Sequence, residues 1–361
     1  MRKGFSAGTR PPPGIEWSAP VFSLAEKSLY VEAIDLWIDS MRTRDRCYVS
    51  HGHSDHAREH AVVVATPNTA QICRSRFAKR EQGAVQTSLL EAVKPPRPPA
   101  QFEEHAFNQP WVHGDHRLTL FPAGHVLGSS QILIESERGR FVYTGDFKLD
   151  ASLTAEAPEV KRCDVVLMEC TYGRPHYAFP PREEVAGEMI AFARDALECG
   201  AVPVFFAYSL GKAQEAVAIL GNAGLPLTVH GAIDTMCGVY RDCGVSLPPY
   251  KRYDVRDFDA QSALVWPPSG RALPKALRAK AVRTAMLTGW TMDRSAPFRY
   301  GVDRGFALSD HADYPALLRY VELAQPAKVL LNHGWRDFAY RLRAIGVNAE
   351  YLEEHAQLAL F

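Results

Sequence analysis

Short apolar runs that stop at a histidine or a carboxylate recur along this chain, and they constrain its fold more than any bulk property does. Leu118-Thr-Leu-Phe121 runs into Pro-Ala-Gly-His125, and Arg140-Phe-Val-Tyr-Thr144 into Gly145-Asp146. Val165-Val-Leu-Met168 stops at Glu169, and Lys328-Val-Leu-Leu331 at Asn332-His333-Gly334. Each run has the length and the apolar or β-branched content of a strand. Strands aligned in one sheet bring the residues past their ends to a common edge, where loops build sites. One polar residue after a strand carries little weight. Four such endings, most of them beside a glycine, point to a chemical site built on a sheet.

A fifth run, Arg46-Cys-Tyr-Val49, leads into Ser50-His51-Gly-His53-Ser-Asp55-His56. Residues 48–60 hold four of the chain's 13 histidines. Imidazole is the commonest side-chain metal ligand, and carboxylate completes the shell of a hard or borderline cation. If the chain stays extended to His53, the period of two puts His51 and His53 on one side. Ser54 or Asp55 suits the cap of a following helical turn, which would swing Asp55 and His56 toward a second point. The stretch reads as half of a two-metal site.

Bulk properties narrow the setting. A chain of 361 residues can bury a full core in one large or two intertwined domains. Its formal net charge is zero, so any basic surface for nucleic acid must be local. No apolar run approaches a membrane span, and the Met1-Arg-Lys start lacks the apolar core of a signal peptide. Seven cysteines without a CxxC pair argue against a disulfide framework and predict a reduced, cytoplasmic setting. Residues 1–15 read as a loosely held tail and Pro95–Pro99 as a loop. No internal repeat is visible. Near residue 180 the texture changes to helix-strand alternation, and it changes back near 305.

Taken in order, HGHSDH, AGHVLGSS, YTGDF, ECTYG, LSDHAD and LNHG resemble the signature series of the metallo-β-lactamase fold in its β-CASP nuclease branch. Within that branch the chain is most similar to the bacterial DNA-ligase-associated exonucleases, which share a start like Ile34-Asp-Leu-Trp-Ile-Asp39. The resemblance runs from about residue 16 over nearly the whole chain. It implies an α/β protein: a metallo-β-lactamase αββα sandwich with an inserted α/β β-CASP domain that caps the active-site cleft. The implied boundaries are 16–178 and 305–361 for the two parts of the sandwich and 179–304 for the insertion.

Carried over position by position, the resemblance implies two divalent metal ions, zinc first and manganese as the alternative. His51, His53 and His125 would hold one, Asp55, His56 and His333 the other, with Asp146 bridging; Asp55 also counts in the catalytic set. Asp39 would orient the ligand loop from behind the imidazoles, with Asp35 a competing candidate. Glu169 and His311 match positions where a carboxylate steadies a histidine that can protonate the leaving oxygen. The implied reaction is metal-assisted hydrolysis of a phosphodiester, without a covalent intermediate.

Other residues have plainer readings. His113-Gly-Asp-His116 is predicted as a hairpin turn, and Cys170 as a small buried thiol. His60, four residues after His56, is expected as an outer or solvated residue; His105, His176, His230 and His355 show no partner pattern. In the insertion, the buried-looking strand Val202–Phe206 precedes Ser209-Leu-Gly211-Lys212 at a helix start, which could cradle a phosphate through backbone N–H groups and the lysine. Lys212 stands where the family commonly has arginine, which softens a bidentate grip. Arg271, Lys275, Arg278, Lys280 and Arg283 fall at near-helical spacing, as a solvated helix face or a surface tracking a nucleic-acid backbone.

The expected function is a two-metal DNA exonuclease of DNA repair, acting on 5′ ends of single strands. Its expected partners are nucleic acid, DNA ahead of RNA, and, in functional association, a DNA ligase and a helicase. A β-CASP ribonuclease is the alternative, because RNA-acting members have histidine at the His333 position where Artemis-like DNA-acting members have an apolar residue. A small-molecule metallo-hydrolase shares the HxHxDH site but usually lacks an insertion of this size. A non-enzymatic scaffold would have lost ligands, and none is lost here.

Overall fold

The computed structural model describes residues 23–25, 28–87, 99–268, 273–274, 277 and 280–352. The expected tail, most of the Pro95–Pro99 loop, and Arg271, Lys275, Arg278 and His355 lie outside them. The described residues form two compact units. One takes those of Met1–Asp150, Glu156–Arg174 and Pro315–Phe361, the other Ala151–Ala155 and Pro175–Tyr314.

The first unit is built on two sheets. In one, β1 (Ser23–Ala25), β2 (Ser28–Val31), β3 (Leu36–Ile38), β4 (Arg46–Tyr48), β5 (Val62–Ala65) and β6 (Gln101–Glu104) lie side by side in chain order. The second has the order β19 (Ala349–Tyr351), β18 (Lys328–Gly334), β11 (Val165–Cys170), β10 (Gly139–Tyr143), β9 (Ser130–Ser136), β8 (His116–Pro122), β7 (Trp111–His113). Alternation along the strands sends Leu118 and Leu120, Ile132 and Ile134, Phe141 and Tyr143, and Val165 and Leu167 to one face. There they share a core with Leu29, Val31, Ile38, Tyr48 and Val64 of the first sheet. Helix α1 (Pro67–Thr87) packs Cys73 and Phe77 on the outer face of the first sheet, against Val63 and Ala65. The helix Tyr314–Ala324 lies outside the second, where the Tyr320 hydroxyl donates to Gln131 Oε1 at 2.6 Å. The unit is an αββα sandwich.

β10, β11 and β18 are parallel, with Leu167 opposite both Tyr143 and Leu330 and Glu169 opposite Asn332. β8 is antiparallel to β9, and β9 to β10, so β8 points the same way as β10. The C-terminal ends of β8, β10, β11 and β18 therefore share one edge. Glu169 and His333 lie inside the last turns of their strands, because pairing continues through a bulge to Cys170 opposite Gly334. Gly334 is essential to that continuation. It sits at φ +131°, and a Cβ there would fall 2.0 Å from the Cys170 carbonyl oxygen. His113 pairs with His116 across the expected turn, with Gly114 at φ 58°.

The second unit holds one parallel sheet, ordered β14 (Lys251–Arg252), β13 (Leu227–Val229), β15 (Ala263–Trp266), β12 (Val202–Phe206), β16 (Val282–Leu287), β17 (Arg304–Phe306). β12 is buried along its whole length, as expected of a central parallel strand. Its Phe205 joins the core with α2 (Arg182–Glu198), α3 (Lys212–Asn222) and α4 (Gly231–Asp242), while Val202, Val204 and Phe206 join the core on the opposite face. Arg283 corrects an expectation: it lies in strand β16, not on a helix, and pairs with Asp195 of α2. The burial of Ala285, Met286 and Leu287 between neighbouring strands outweighs the spacing of the charges. Residues 151–155 join this unit through Glu215 of α3. Its buried carboxylate accepts from Ser152 Oγ at 2.8 Å and from Leu153 N and Thr154 Oγ1 at 3.1 Å, and pairs with Arg182.

Candidate metal centre

The loop after β4 does not stay extended. It bends at His51–His53, then makes one helical turn in which the His56 and Ala57 N–H groups donate to the His53 carbonyl at 3.2 and 2.8 Å. Asp39 shapes it from behind. Its Oδ1 accepts the Ser50 N–H at 2.7 Å, and its Oδ2 accepts the Ser50 and Tyr143 hydroxyls at 2.6 and 2.8 Å. The same Oδ2 lies 2.8 Å from His56 Nδ1. Asp35 is exposed and takes the Tyr30 hydroxyl instead, at 2.7 Å.

Two groups of side chains converge in front of this frame, His51 with His53 and His125, and His51 with His56 and Asp146. His53 Nδ1 lies 3.1 Å from His51 Nε2 and 3.0 Å from His125 Nε2. Asp146 Oδ2 is 3.3 Å from His56 Nε2, 3.6 Å from His51 Nε2 and 3.9 Å from His125 Nε2. One ring nitrogen has a single lone pair or a single proton, so His53 Nδ1 cannot satisfy two imidazoles as a hydrogen-bond partner. A tetrahedral shell with Zn–N bonds of about 2.0–2.1 Å spaces its ligand atoms about 3.3 Å apart, close to what these nitrogens show. The donor set fits a divalent cation. His51 and His56 are fully buried at its base.

Burial first, then the neighbouring His56 and His125, hold the pKa of His51 well below its ordinary value. Burial works in the same direction on His56, but the Asp146 and Asp39 carboxylates outweigh it and raise that imidazole well above its ordinary value. Tyr143 is pushed well up by burial and by Asp39 and Asp146, so it remains a hydroxyl donor.

The other candidates are placed less uniformly. Asp55 is exposed on the helical turn and belongs to neither group. His333 is exposed at φ 46°, its ring stacked on His56 with centroids 5.2 Å apart. Glu169 is buried and accepts the Phe147 N–H at 2.8 Å. His311 belongs to the second unit, in the turn Ser309–Asp313, where its N–H donates to Ser309 Oγ at 3.0 Å. The Ser209–Lys212 turn is also in that unit. The Gly211 N–H is taken by Gln214 Oε1 at 2.9 Å, and Lys212 is turned inward onto Asp310, because a buried ammonium needs a counter-charge. His60 is buried rather than solvated and accepts the Arg44 N–H at Nδ1, 3.1 Å away. Cys170 is fully buried, as expected.

Sequence reasoning missed Ser50 and Tyr143, the two hydroxyls on Asp39. A weak signal existed for each: Ser50 directly precedes the histidine run, and Tyr143 stands three residues before Asp146 on the inward face of its strand.

Residues 20–204 match the family model of the beta-lactamase superfamily domain, and 296–352 that of the Zn-dependent metallo-hydrolase RNA specificity domain. A protein of Opitutus terrae named "Probable DNA ligase" is 38% identical over 92% of this chain and 31% of its own length. The "Transcription termination factor FttA" of Lokiarchaeum sp. is 27% identical over 50% of this chain and 31% of its own. The "RNase J-like protein" of Methanocaldococcus jannaschii is 23% identical over 61% and 64%. The chain thus spans about a third of the length of the first two relatives. Matched by both models and carrying the sandwich with its inserted α/β unit, the chain belongs to the metallo-β-lactamase family, in its β-CASP branch.

Proposed function

We propose that the protein is a metal-dependent phosphodiesterase that degrades DNA from an end. The observation that carries this reading is the convergence of His51, His53 and His56, from the loop after β4 of one sheet, with His125 and Asp146, from the loops after β8 and β10 of the other. Two bound divalent ions, zinc in the first place, would supply an activated water and neutralise charge on the transferred phosphoryl group. His51, His53 and His125 would hold one ion, His56 and His333 with Asp55 the other, and Asp146 would bridge. Asp39 fixes the ring of His56 and the Ser50 backbone, so the ligand loop is set before metal arrives. His311 would deliver the proton to the leaving oxygen, with Glu169 as its steadying carboxylate.

DNA is favoured over RNA by the similarity to the protein named "Probable DNA ligase", which covers 92% of this chain. The finer reading is digestion of single strands from a 5′ end during DNA repair in the cytoplasm, in functional association with a ligase and a helicase. A ribonuclease is the second reading, favoured by the match of 296–352 to an RNA specificity domain and by the "RNase J-like protein". Among the described residues no helix is long and apolar enough to cross a membrane.

End-labelled DNA and RNA of one sequence, with and without a 5′-phosphate, offered to metal-stripped and zinc- or manganese-loaded protein, test the proposal. Mononucleotides released from DNA but not RNA, only with metal, are expected. Preferential loss of RNA would favour the second reading. Inertness to both polymers, with hydrolysis of thioesters or lactones, would replace the nuclease by a small-molecule hydrolase.

A further inference from the structure

We propose that Lys212 is a positioning residue for His311, acting through Asp310, rather than a contact for substrate phosphate. The inference rests on the hydrolytic reading above and adds a residue to it. Lys212 opens α3 yet is only 6% exposed, and Asp310, 98 positions on, is also 6% exposed. The two form an ion pair, and the ammonium lies 5.2 Å from the centre of the Tyr208 ring, so carboxylate and aromatic face both receive it. Asp310 Oδ1 is 3.9 Å from His311 Nε2.

The turn that carries His311 is pinned at several points. The Ser309 hydroxyl accepts the His311 N–H at 3.0 Å and donates to the His311 carbonyl at 3.2 Å. Asp313 Oδ2 accepts the Phe179 N–H at 2.9 Å. Between these two anchors, Asp310 is tied to the first turn of α3 by the Lys212 ammonium. That turn is itself held by Gln214 Oε1 on the Gly211 N–H and by Glu215 on residues 152–154. A buried carboxylate is held by its counter-charge together with its hydrogen bonds, and loss of the counter-charge leaves it uncompensated. Remove the ammonium, and the residue beside His311 loses the tie that sets the imidazole's position. An imidazole displaced by about 1 Å can cost about 100-fold in turnover.

The test compares Lys212→Met, Lys212→Arg and the charge-neutral pair Lys212→Met with Asp310→Asn, each checked for metal content and melting temperature. The substrates are bis(p-nitrophenyl) phosphate, which has no terminal phosphate, and 5′-phosphorylated and 5′-hydroxyl single-stranded DNA. Lys212→Met is expected to lower kcat about 10- to 100-fold on all three substrates alike, with KM within about twofold. Lys212→Arg, which keeps charge and reach, should regain most of that loss. The neutral pair removes the stranded charge and should restore melting temperature but not kcat. In 15N-histidine spectra of the metal-free protein, the His311 signals should move in Lys212→Met and in the pair. Loss confined to 5′-phosphorylated DNA would show a phosphate contact and overturn the inference. Recovery of kcat in the neutral pair would show a merely structural ion pair and overturn it equally. A wild type inert to every phosphodiester would sink the hydrolytic reading and the inference together; an active wild type with unchanged variants would sink only the inference.

Discussion

Asp39 and His56 form a fixed pair, with carboxylate Oδ2 and imidazole Nδ1 2.8 Å apart and the aspartate held in the left-handed region at φ 44°. The contact directs the other ring nitrogen, His56 Nε2, toward Asp146. Asparagine tolerates the same backbone conformation but presents one acceptor oxygen where the carboxylate has two. Asp39→Asn should therefore fold and lose about 10- to 100-fold in metal affinity, measured by competition with a chelator. Unchanged affinity would remove Asp39 from the site.

Asp146→Ala should abolish hydrolysis while leaving the fold, whose core lies between the sheets. Elemental analysis should find about two metal ions per wild-type chain and fewer in the variant. Full activity of metal-free protein would refute the two-metal reading.

If His311 protonates the leaving oxygen, His311→Ala should cut turnover by about 100-fold with metal content retained. Glu169→Gln should act more weakly in the same direction. Metal lost from His311→Ala would recast that residue as a ligand.

His60 ties stability to pH. Burial lowers its pKa to about 4 from an ordinary 6.5. As pH falls below 6.5 the unfolded chain takes up this proton first, so the folded state loses stability until pH reaches about 4. Above pH 6.5 the contribution is fully present. His60→Gln, which can still accept the Arg44 N–H, should lose less stability over that window, by an amount on the order of 2–3 kcal/mol. Denaturant melts at pH 7 and pH 4.5 measure the difference; parallel losses would refute it.

Gly334→Ala would drive a methyl group into the Cys170 carbonyl at a backbone angle that L-residues avoid. A destabilisation of about 2–3 kcal/mol is expected, with weakened metal binding through the neighbouring His333. A melting temperature equal to wild type would show that the bulge can relax.

What was legible in the sequence was whatever depends on near neighbours. The apolar and β-branched content of Leu118–Phe121 and Val165–Met168 gave strands, and pairing that is parallel from β10 to β18 and twice antiparallel from β8 to β10 then brought His125, Asp146, Glu169 and His333 to one edge. Asp39 and Asp35 could not be separated, because each follows a short ordered segment and both adopt positive φ; only the fold shows which meets His56. Lys212 read as a surface anion grip because its partner lies 98 residues away. Arg283 read as helical because spacings of two to four residues also occur by chance, whereas the burial of Ala285, Met286 and Leu287 in the sheet decides for a strand.

The bonds from Glu215 to residues 152–154 bear on how this chain could be cut. Severed at 174/175 and 314/315, the parallel-sheet unit would leave that short segment behind. Glu215 would then keep Arg182 but lose three donors, whose ordered hydrogen bonds only solvent could replace. A transplant of this unit into a related protein must therefore carry residues 151–155 as a separate graft. A version produced alone should melt earlier and expose α3 to protease, unless a peptide spanning Ala151–Ala155 is supplied in trans.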